Sequence, residues 1–469
     1  MQRSTFLPVL ASLLVVGCRA LDTSLSEPAE SPPNFLLVVT DDQGWGELSR
    51  RGHPFVSTPE LDRMAASGLA LERFYAAAPV CSPTRASLLT GRHPCRTRTF
   101  AWGHDLPGDE VTIAEVLRDQ GYATGHFGKW HLGSVRDDEP TSPGAQGFTQ
   151  WASTPNFFDR DPLLSIQGEV EEHTGSGTDV VTERALGFIA EHGLRGRPFL
   201  AVIWYGDPHL PHAENPQDAA EFAHLSDERA NYAAELKGID RNVGRLRRAL
   251  AKLGIERDTV VWFTSDNGPR APGEARDATG GLRDDKGTLW EGGLRVPTIV
   301  EWPGRIEPGL VSTALSGTVD VAPTLAALAG AELGGELDGV DLSELLRAPA
   351  GWRRGAGLGF WMPGFQGRAQ WAERILEAIR AGERHPSETP PDERLTTTER
   401  GHAAWVEDGW KLHRRGAGGD ERFELYHLAS DPAESRDLAR AEPVRLEALA
   451  RKLSRWQTAI VAEQRVGSN

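Results

Sequence analysis

Three short runs of the chain are almost uninterruptedly apolar: 34–40 (NFLLVVT), 198–205 (PFLAVIWY) and 258–264 (DTVVWFT). A strand wet on one face alternates apolar and polar residues, so a continuous run of strand length predicts a strand covered on both sides, as in a parallel sheet. Between these runs the period lengthens. Leu61, Met64 and Ala65 keep helical spacing behind Ser57-Thr58-Pro59 and ahead of Gly68, which predicts a capped helix. Ile113, Val116 and Leu117 predict a second over 111–120, and 181–192 and 319–329 read as two more. The longest amphipathic stretch, 230–253, closes at Gly254 and suits a crossover helix. This alternation predicts an α/β fold with a large, mostly parallel central sheet and helices on both faces.

The pattern changes after about residue 345, which closes a main domain expected over 34–345. Residues 346–400 read as an irregular insertion with one charged helix over 369–381. Within 401–469, the segments 403–410, 411–415 and 422–427 alternate like short antiparallel strands, and 443–462 is helical, which predicts a small α+β subdomain. At the other end, Arg3 precedes an apolar stretch over 6–16 that is too short to span a bilayer and has the form of a secretory signal. Its ending, VVGC, resembles a bacterial lipobox. Residues 1–18 are therefore expected to be a signal, Cys18 to carry lipid, and 19–33 to be a flexible tether. The expectation is an exported protein, periplasmic or at the cell surface, touching the membrane only through that lipid.

Charge narrows the class. A formal net charge of -16 gives none of the basic field that nucleic acid requires. An anionic substrate would have to be held by a local cluster of cations and metal, against the sign of the whole. Of the three cysteines, one each is expected at the lipid and in a reactive cassette, so Cys95 has no partner and the fold must stand without disulfides.

Candidate chemistry gathers where the strands stop, which is where ligands collect in open α/β sheets. The first run ends in Asp41-Asp42 and the third in Asp266-Asn267; the second is followed by His209. Three carboxylates and an amide oxygen suit Ca²⁺, Mg²⁺ less well, and Zn²⁺ poorly, since zinc favours His and Cys. In GKWHLG, Lys129 and His131 lie two apart and share a face if extended. Lys286 stands out in DDKGTLWEGG. In 81–92, CSPTRASLLTGR, a helix beginning near Cys81 would aim free N–H groups at an anion beside that side chain, with Arg85 four residues on. The aromatic, Pro/Gly/Asn-rich stretch 142–161 is expected to be a substrate-facing loop without regular structure.

The Cys81 cassette resembles the signature of the formylglycine-dependent (type I) sulfatases, of the alkaline-phosphatase-like superfamily. VVTDDQGWG, GKWHLG, PHLPH, SDNG and K-x-x-x-W-EGG-x-RVP follow in that family's order, and ELYHLASDPAESRDLA resembles its C-terminal stretch. The resemblance implies that Cys81 is oxidised to formylglycine by a maturation enzyme and that its hydrate is the nucleophile. It implies that Asp41, Asp42, Asp266 and Asn267 bind Ca²⁺ together with residue 81. Arg85, Lys129 and His131 would orient and activate the hydrate; His209 and Lys286 would hold the sulfate ester, with His209 protonating the leaving alcohol. Ser153 or Asn156, in STPN, could add a contact to the substrate, and TPN followed by Phe157 resembles the sugar-sulfatase branch. The expected activity is hydrolysis of a sulfate ester of a small molecule or glycan. The alternatives are a phosphodiester or phosphonate monoester hydrolase of the same superfamily and a non-catalytic lipoprotein that binds sulfated glycans.

Overall fold

The three apolar runs are adjacent strands at the centre of a ten-stranded sheet. Asn34–Thr40 lies between Phe199–Trp204 and Thr259–Ser265 and is parallel to both. On one side, Ala123–Lys129 and then Gln150–Thr154 add in parallel, and the antiparallel pair Leu163–Ile166 and Glu169–Glu172 closes that edge. On the other, Ile299–Glu301 pairs antiparallel with Thr259–Ser265 and is followed by Leu69–Leu71 and Leu310–Ser312. The computed structural model describes Met1 and residues 32–270, 276–388, 393–398, 400–416 and 420–466. The expected signal, Cys18 and nearly all of the tether lie outside the described residues.

Burial on both faces follows residue by residue. Phe35, Leu37 and Val39 enter one core, with Leu200, Val202, Trp204, Val260 and Trp262. Leu36 and Val38 enter the other, with Ala201, Ile203, Val261 and Phe263. Helices Cys81–Thr90, Ile113–Asp119 and Val321–Leu328 cover the first face; Pro59–Ser67, Gly177–Leu194 and Asp227–Leu253 cover the second. Each large side chain so buried contributes roughly 1.5–3 kcal/mol, and a core of this size replaces disulfides. Cys81 and Cys95 are both free.

Three local expectations change. The stretch 142–161 contains a core strand, Gln150–Thr154, hidden because Gln150, Ser153 and Thr154 are polar although Ser153 and Thr154 are buried, with Ser153 Oγ bonded to His126 of the neighbouring strand. The insertion supplies Leu358–Met362, which pairs antiparallel with His402–Glu407 and makes the C-terminal sheet four-stranded with Trp410–Arg415 and Arg422–His427. The extended geometry expected through His131 stops at Lys129, and His131 takes φ 55°. No described helix is long and apolar enough to cross a membrane.

The C-terminal sheet meets the main sheet's loops through buried charge. Lys411 Nζ lies 3.0 Å from Glu291 Oε1 and 3.2 Å from Glu434 Oε1, all three side chains being fully buried. Glu434 also accepts from His413 Nε2 at 2.7 Å and from the backbone N–H of Glu291 at 2.6 Å. Lys411→Met strands two carboxylates without their cation, so it is expected to cost about 3–5 kcal/mol. A shift in the denaturation midpoint measures this, and a loss below about 1 kcal/mol would contradict the assignment.

Candidate active site

All four central parallel strands deliver a polar residue at their carboxyl ends. Asp41 and Asp42 follow Asn34–Thr40, Asp266 and Asn267 follow Thr259–Ser265, Lys129 ends its strand, and His209 stands past Phe199–Trp204. Backbone bonds lock the ends together: Asp41 N donates to Asp207 O at 3.0 Å, and Asp266 N to Thr40 O at 3.1 Å. Asp42, at φ 67°, turns its N–H to Asp266 Oδ1 at 3.2 Å. Such left-handed strain in a non-glycine residue persists only where the surroundings hold it, and the surroundings here are the site itself.

Cys81 is the first residue of the helix Cys81–Thr90 and 2 % exposed. Its Sγ lies 3.3 Å from Asp41 Oδ1 and 3.6 Å from Lys286 Nζ. Burial, with Asp41 beside it, pushes the thiol far above its ordinary range, so Cys81 is a neutral thiol and a poor nucleophile as it stands.

Each buried carboxylate has its own cation. Lys129 binds Asp41; Lys286 Nζ lies 2.7 Å from Asp42 Oδ1; Arg85 reaches Asp266 Oδ2 through Nη2 at 2.7 Å and Nε at 3.0 Å. Burial raises Asp41, but Lys129, His209, Arg85 and Lys286 outweigh it and hold the carboxyl well below the usual range. Asp266 is pushed up to about 7 by burial and by Asp41. Lys286 is buried too, yet Asp42 and its neighbours keep it firmly protonated.

The two histidines differ. His209 stacks on Phe157 with ring centroids 4.7 Å apart, and Nδ1 donates to Leu210 O at 2.5 Å, which leaves Nε2 for the site, 3.7 Å from Asp42 Oδ2. Burial lowers it to about 4. His131 is 2 % exposed, with neither ring nitrogen hydrogen-bonded, and burial beside Lys129 and Arg85 holds it neutral.

A cavity of about 390 Å³ opens over Cys81, with His131, His209 and Lys286 in its wall. Asn156 also lines it, whereas Ser153 lies in the sheet with its hydroxyl 2.7 Å from His126 Nδ1 and does not reach the cavity. Trp102, Gln370 and Trp371 line it as well, with Phe157, Leu210, Arg270 and Ala369; Gln370 and Trp371 come from the insertion 346–400, where the sequence pattern points to no site.

The donors fit a hard divalent cation. Oxygens of Asp41 and Asp42, Cys81 Sγ and a nitrogen of His209 lie within 4.8 Å of one another. Asn267 donates its Nδ2 to Asp42 Oδ1 at 2.7 Å, and its Oδ1 is buried without a partner, an acceptor that a cation would satisfy. Asp266 is not among these four: its Oδ1 accepts from Asp42 N and its Oδ2 from Arg85.

The family model described as Sulfatase matches residues 33–331. The chain belongs to the sulfatase family. Arylsulfatase A of Bos taurus is 38% identical over 355 residues, covering 68% of each chain. N-acetylgalactosamine-6-sulfatase of Mus musculus is 33% identical over 373 residues, 70% of this chain and 68% of its own. Among solved structures, a sulfatase from Pseudoalteromonas sp. superposes with TM-score 0.71 at 22% identity, covering 92% of this chain and 91% of its own. The phosphonate monoester hydrolase of Agrobacterium radiobacter shares the fold at TM-score 0.64 and 21% identity, with 91% and 96% covered. This sulfatase is thus a hydrolase of sulfate esters with the alkaline-phosphatase-like fold, and its strand-end cluster is a candidate divalent-metal site.

In protein of this sulfatase that retains the Cys81 thiol, iodoacetamide at neutral pH is expected to label residue 81 at least about tenfold more slowly than after unfolding, because the thiolate is suppressed. Peptide mapping before and after denaturant reads this; equal rates would refute the burial-driven shift.

Proposed function

We propose that this sulfatase cleaves the sulfate ester of a carbohydrate with residue 81 as formylglycine on a Ca²⁺ site, and that it works outside the cytoplasm on a lipid tether at Cys18. The observation that carries the reading is the pairing at Cys81: a maturation-type sequence, C-S-P-T-R, around a buried thiol too weakly acidic to attack as it is. Formylglycine at position 81 would supply, as its hydrate, two hydroxyls on one carbon, one to act as nucleophile and one to allow release of sulfate. Asp41, Asp42, Asp266 and Asn267 would hold the Ca²⁺, which would supply Lewis acidity at the site. Calcium prefers oxygen, so His209 is left to the substrate.

Electrostatics support the assignment. Without a metal, Asp41, Asp42 and Asp266 are balanced by Lys129, Lys286 and Arg85. A divalent cation on the carboxylates leaves the cluster net positive, the sign an organic sulfate needs inside a protein of net charge -16. Lys286, within 3.6 Å of Sγ, and Lys129 then stabilise charge that grows on the transferring group. His131, neutral and unpaired, suits acceptance of the nucleophile's proton. His209 holds the leaving group's proton at Nε2; an incoming anion raises its affinity for that proton from the low value in the free site. Export is supported by Arg3, the apolar stretch 6–16 and VVGC.

The tryptic peptide 74–85 from protein made in its native host is expected to show the mass of formylglycine at position 81. An intact, alkylatable thiol in that protein would overturn the mechanism. Chelation is expected to abolish turnover and Ca²⁺ to restore it better than Mg²⁺, with Lys286→Ala lowering kcat by about 10²–10³. Full activity after exhaustive chelation would refute the metal assignment.

A further inference from the structure

The mouth of the cavity over Cys81 holds the only exposed large aromatic side chains among the described residues. Trp102 is 40% exposed and Trp371 57%, while twelve other tryptophans are half-buried or buried. Leaving two indoles in water at a reaction site costs hydrophobic stabilisation that no fold requires. Neither is there by looseness of the chain. Gly103 N donates to Ser82 Oγ at 2.8 Å, which ties the Trp102 turn to the residue after Cys81. Arg368 N donates to Trp102 O at 2.9 Å, Arg368 Nε to Gly103 O at 2.9 Å, and Arg368 Nη2 to Asp105 Oδ1 at 2.6 Å. The two segments meet so closely that a Cβ on Gly103, at φ 75°, would stand 2.3 Å from Arg368 O. The segments that carry both tryptophans are therefore tied to each other and to the residue after Cys81.

Between them sits a pair of amides. Asn156 Nδ2 donates to Gln370 O at 2.9 Å, and Gln370 Nε2 to Gly103 O at 3.3 Å. A carbonyl can only accept, so these bonds fix which end of each amide is nitrogen. Asn156 Oδ1 and Gln370 Oε1 are then left buried without partners, on side chains 8% and 5% exposed that line the cavity. Unpaired acceptors call for donors from whatever fills the site.

We propose that Trp102, Gln370 and Trp371, with Asn156, form a ring subsite that makes the enzyme selective for sulfate esters of polyhydroxylated rings over aryl sulfates. The indoles take the apolar C–H faces of the ring, and the amide oxygens accept from its hydroxyls. An aryl sulfate offers a flat face but no donors, so it leaves both acceptors unpaired, which is the kind of mismatch that sites discriminate against strongly. This rests on the sulfate-ester reading and adds to it which residues choose the alcohol.

The test is the ratio of kcat/KM for monosaccharide sulfates (N-acetylgalactosamine 6-sulfate, glucosamine 6-sulfate, galactose 4-sulfate) to that for 4-nitrophenyl sulfate, measured on the matured enzyme. Trp371→Ala and Gln370→Leu are each expected to lower the ratio for the best sugar at least about tenfold, chiefly through KM for the tryptophan variant, with Trp371→Phe restoring most of it. An unchanged ratio in both variants, whether through equal losses or none, overturns the proposal and leaves sulfate hydrolysis standing. If the wild-type enzyme turns over no sulfate ester, the underlying reading fails instead. The subsite is then read by calorimetry on Cys81→Ala protein with the same sugar sulfates: binding weakened about tenfold by Trp371→Ala supports it, and binding insensitive to that change, or absent, overturns it.

Discussion

Three carboxylates buried at neighbouring strand ends dictate the rest of the site. Removing one ion from water costs several kcal/mol, so Asp41, Asp42 and Asp266 are tolerable only with cations brought to the same place. The protein draws those cations from three different elements: Lys129 from the next strand but one, Arg85 from the helix Cys81–Thr90, and Lys286 from a loop more than 240 residues downstream of Asp42. The choice of Arg85 fixes Cys81 as well. Cys81 is one helical turn before Arg85, so seating the guanidinium on Asp266 swings Sγ to within 3.3 Å of Asp41.

The loop cation needs outside support, and the C-terminal sheet gives it. Lys286 N donates to Pro269 O at 3.1 Å and Gly287 N to Pro79 O at 2.9 Å, which bind the loop to the site from the front. From behind, Glu434 accepts the N–H of Glu291, and Lys411 bridges Glu291 to Glu434. Arg283 lies 3.5 Å above the centre of the Trp290 ring and donates to Glu434 O at 2.9 Å. The small sheet is thus a clamp on the loop that carries Lys286, and the same buried-charge rule that shapes the site is used a second time to hold it.

The central sheet was legible because burial on both faces removes any need for alternation; 34–40, 198–205 and 258–264 announce themselves in composition alone. The polar residues at their ends were legible for the same reason, since nothing else in those stretches needs charge. Gln150–Thr154 was not, because a five-residue strand with three polar side chains, two of them buried, looks like a loop. Leu358–Met362 was not, because five residues between glycine turns carry too little pattern to tell strand from coil. The cavity wall was the least legible. Gln370 and Trp371 reach the site through hydrogen bonds from Arg368 to a turn some 265 positions earlier, a pairing that no local period encodes.

That difference bears on what kinship carries. The charged residues at Cys81 sit on strand ends and in contiguous motifs, where the buried charges constrain one another and replacement of any one strands the others. Trp102, Gln370 and Trp371 in the cavity wall sit on two irregular segments joined by a few backbone bonds, where a change alters the wall and leaves the charges in place. An identity of 38% to an arylsulfatase over 355 residues does not by itself name the alcohol that this chain takes. In this chain the second set presents two indoles and two unpaired amide oxygens, a surface that asks for a ring with hydroxyl donors; the reaction is inherited from the sheet, and the choice of substrate is made where the sheet's constraints end.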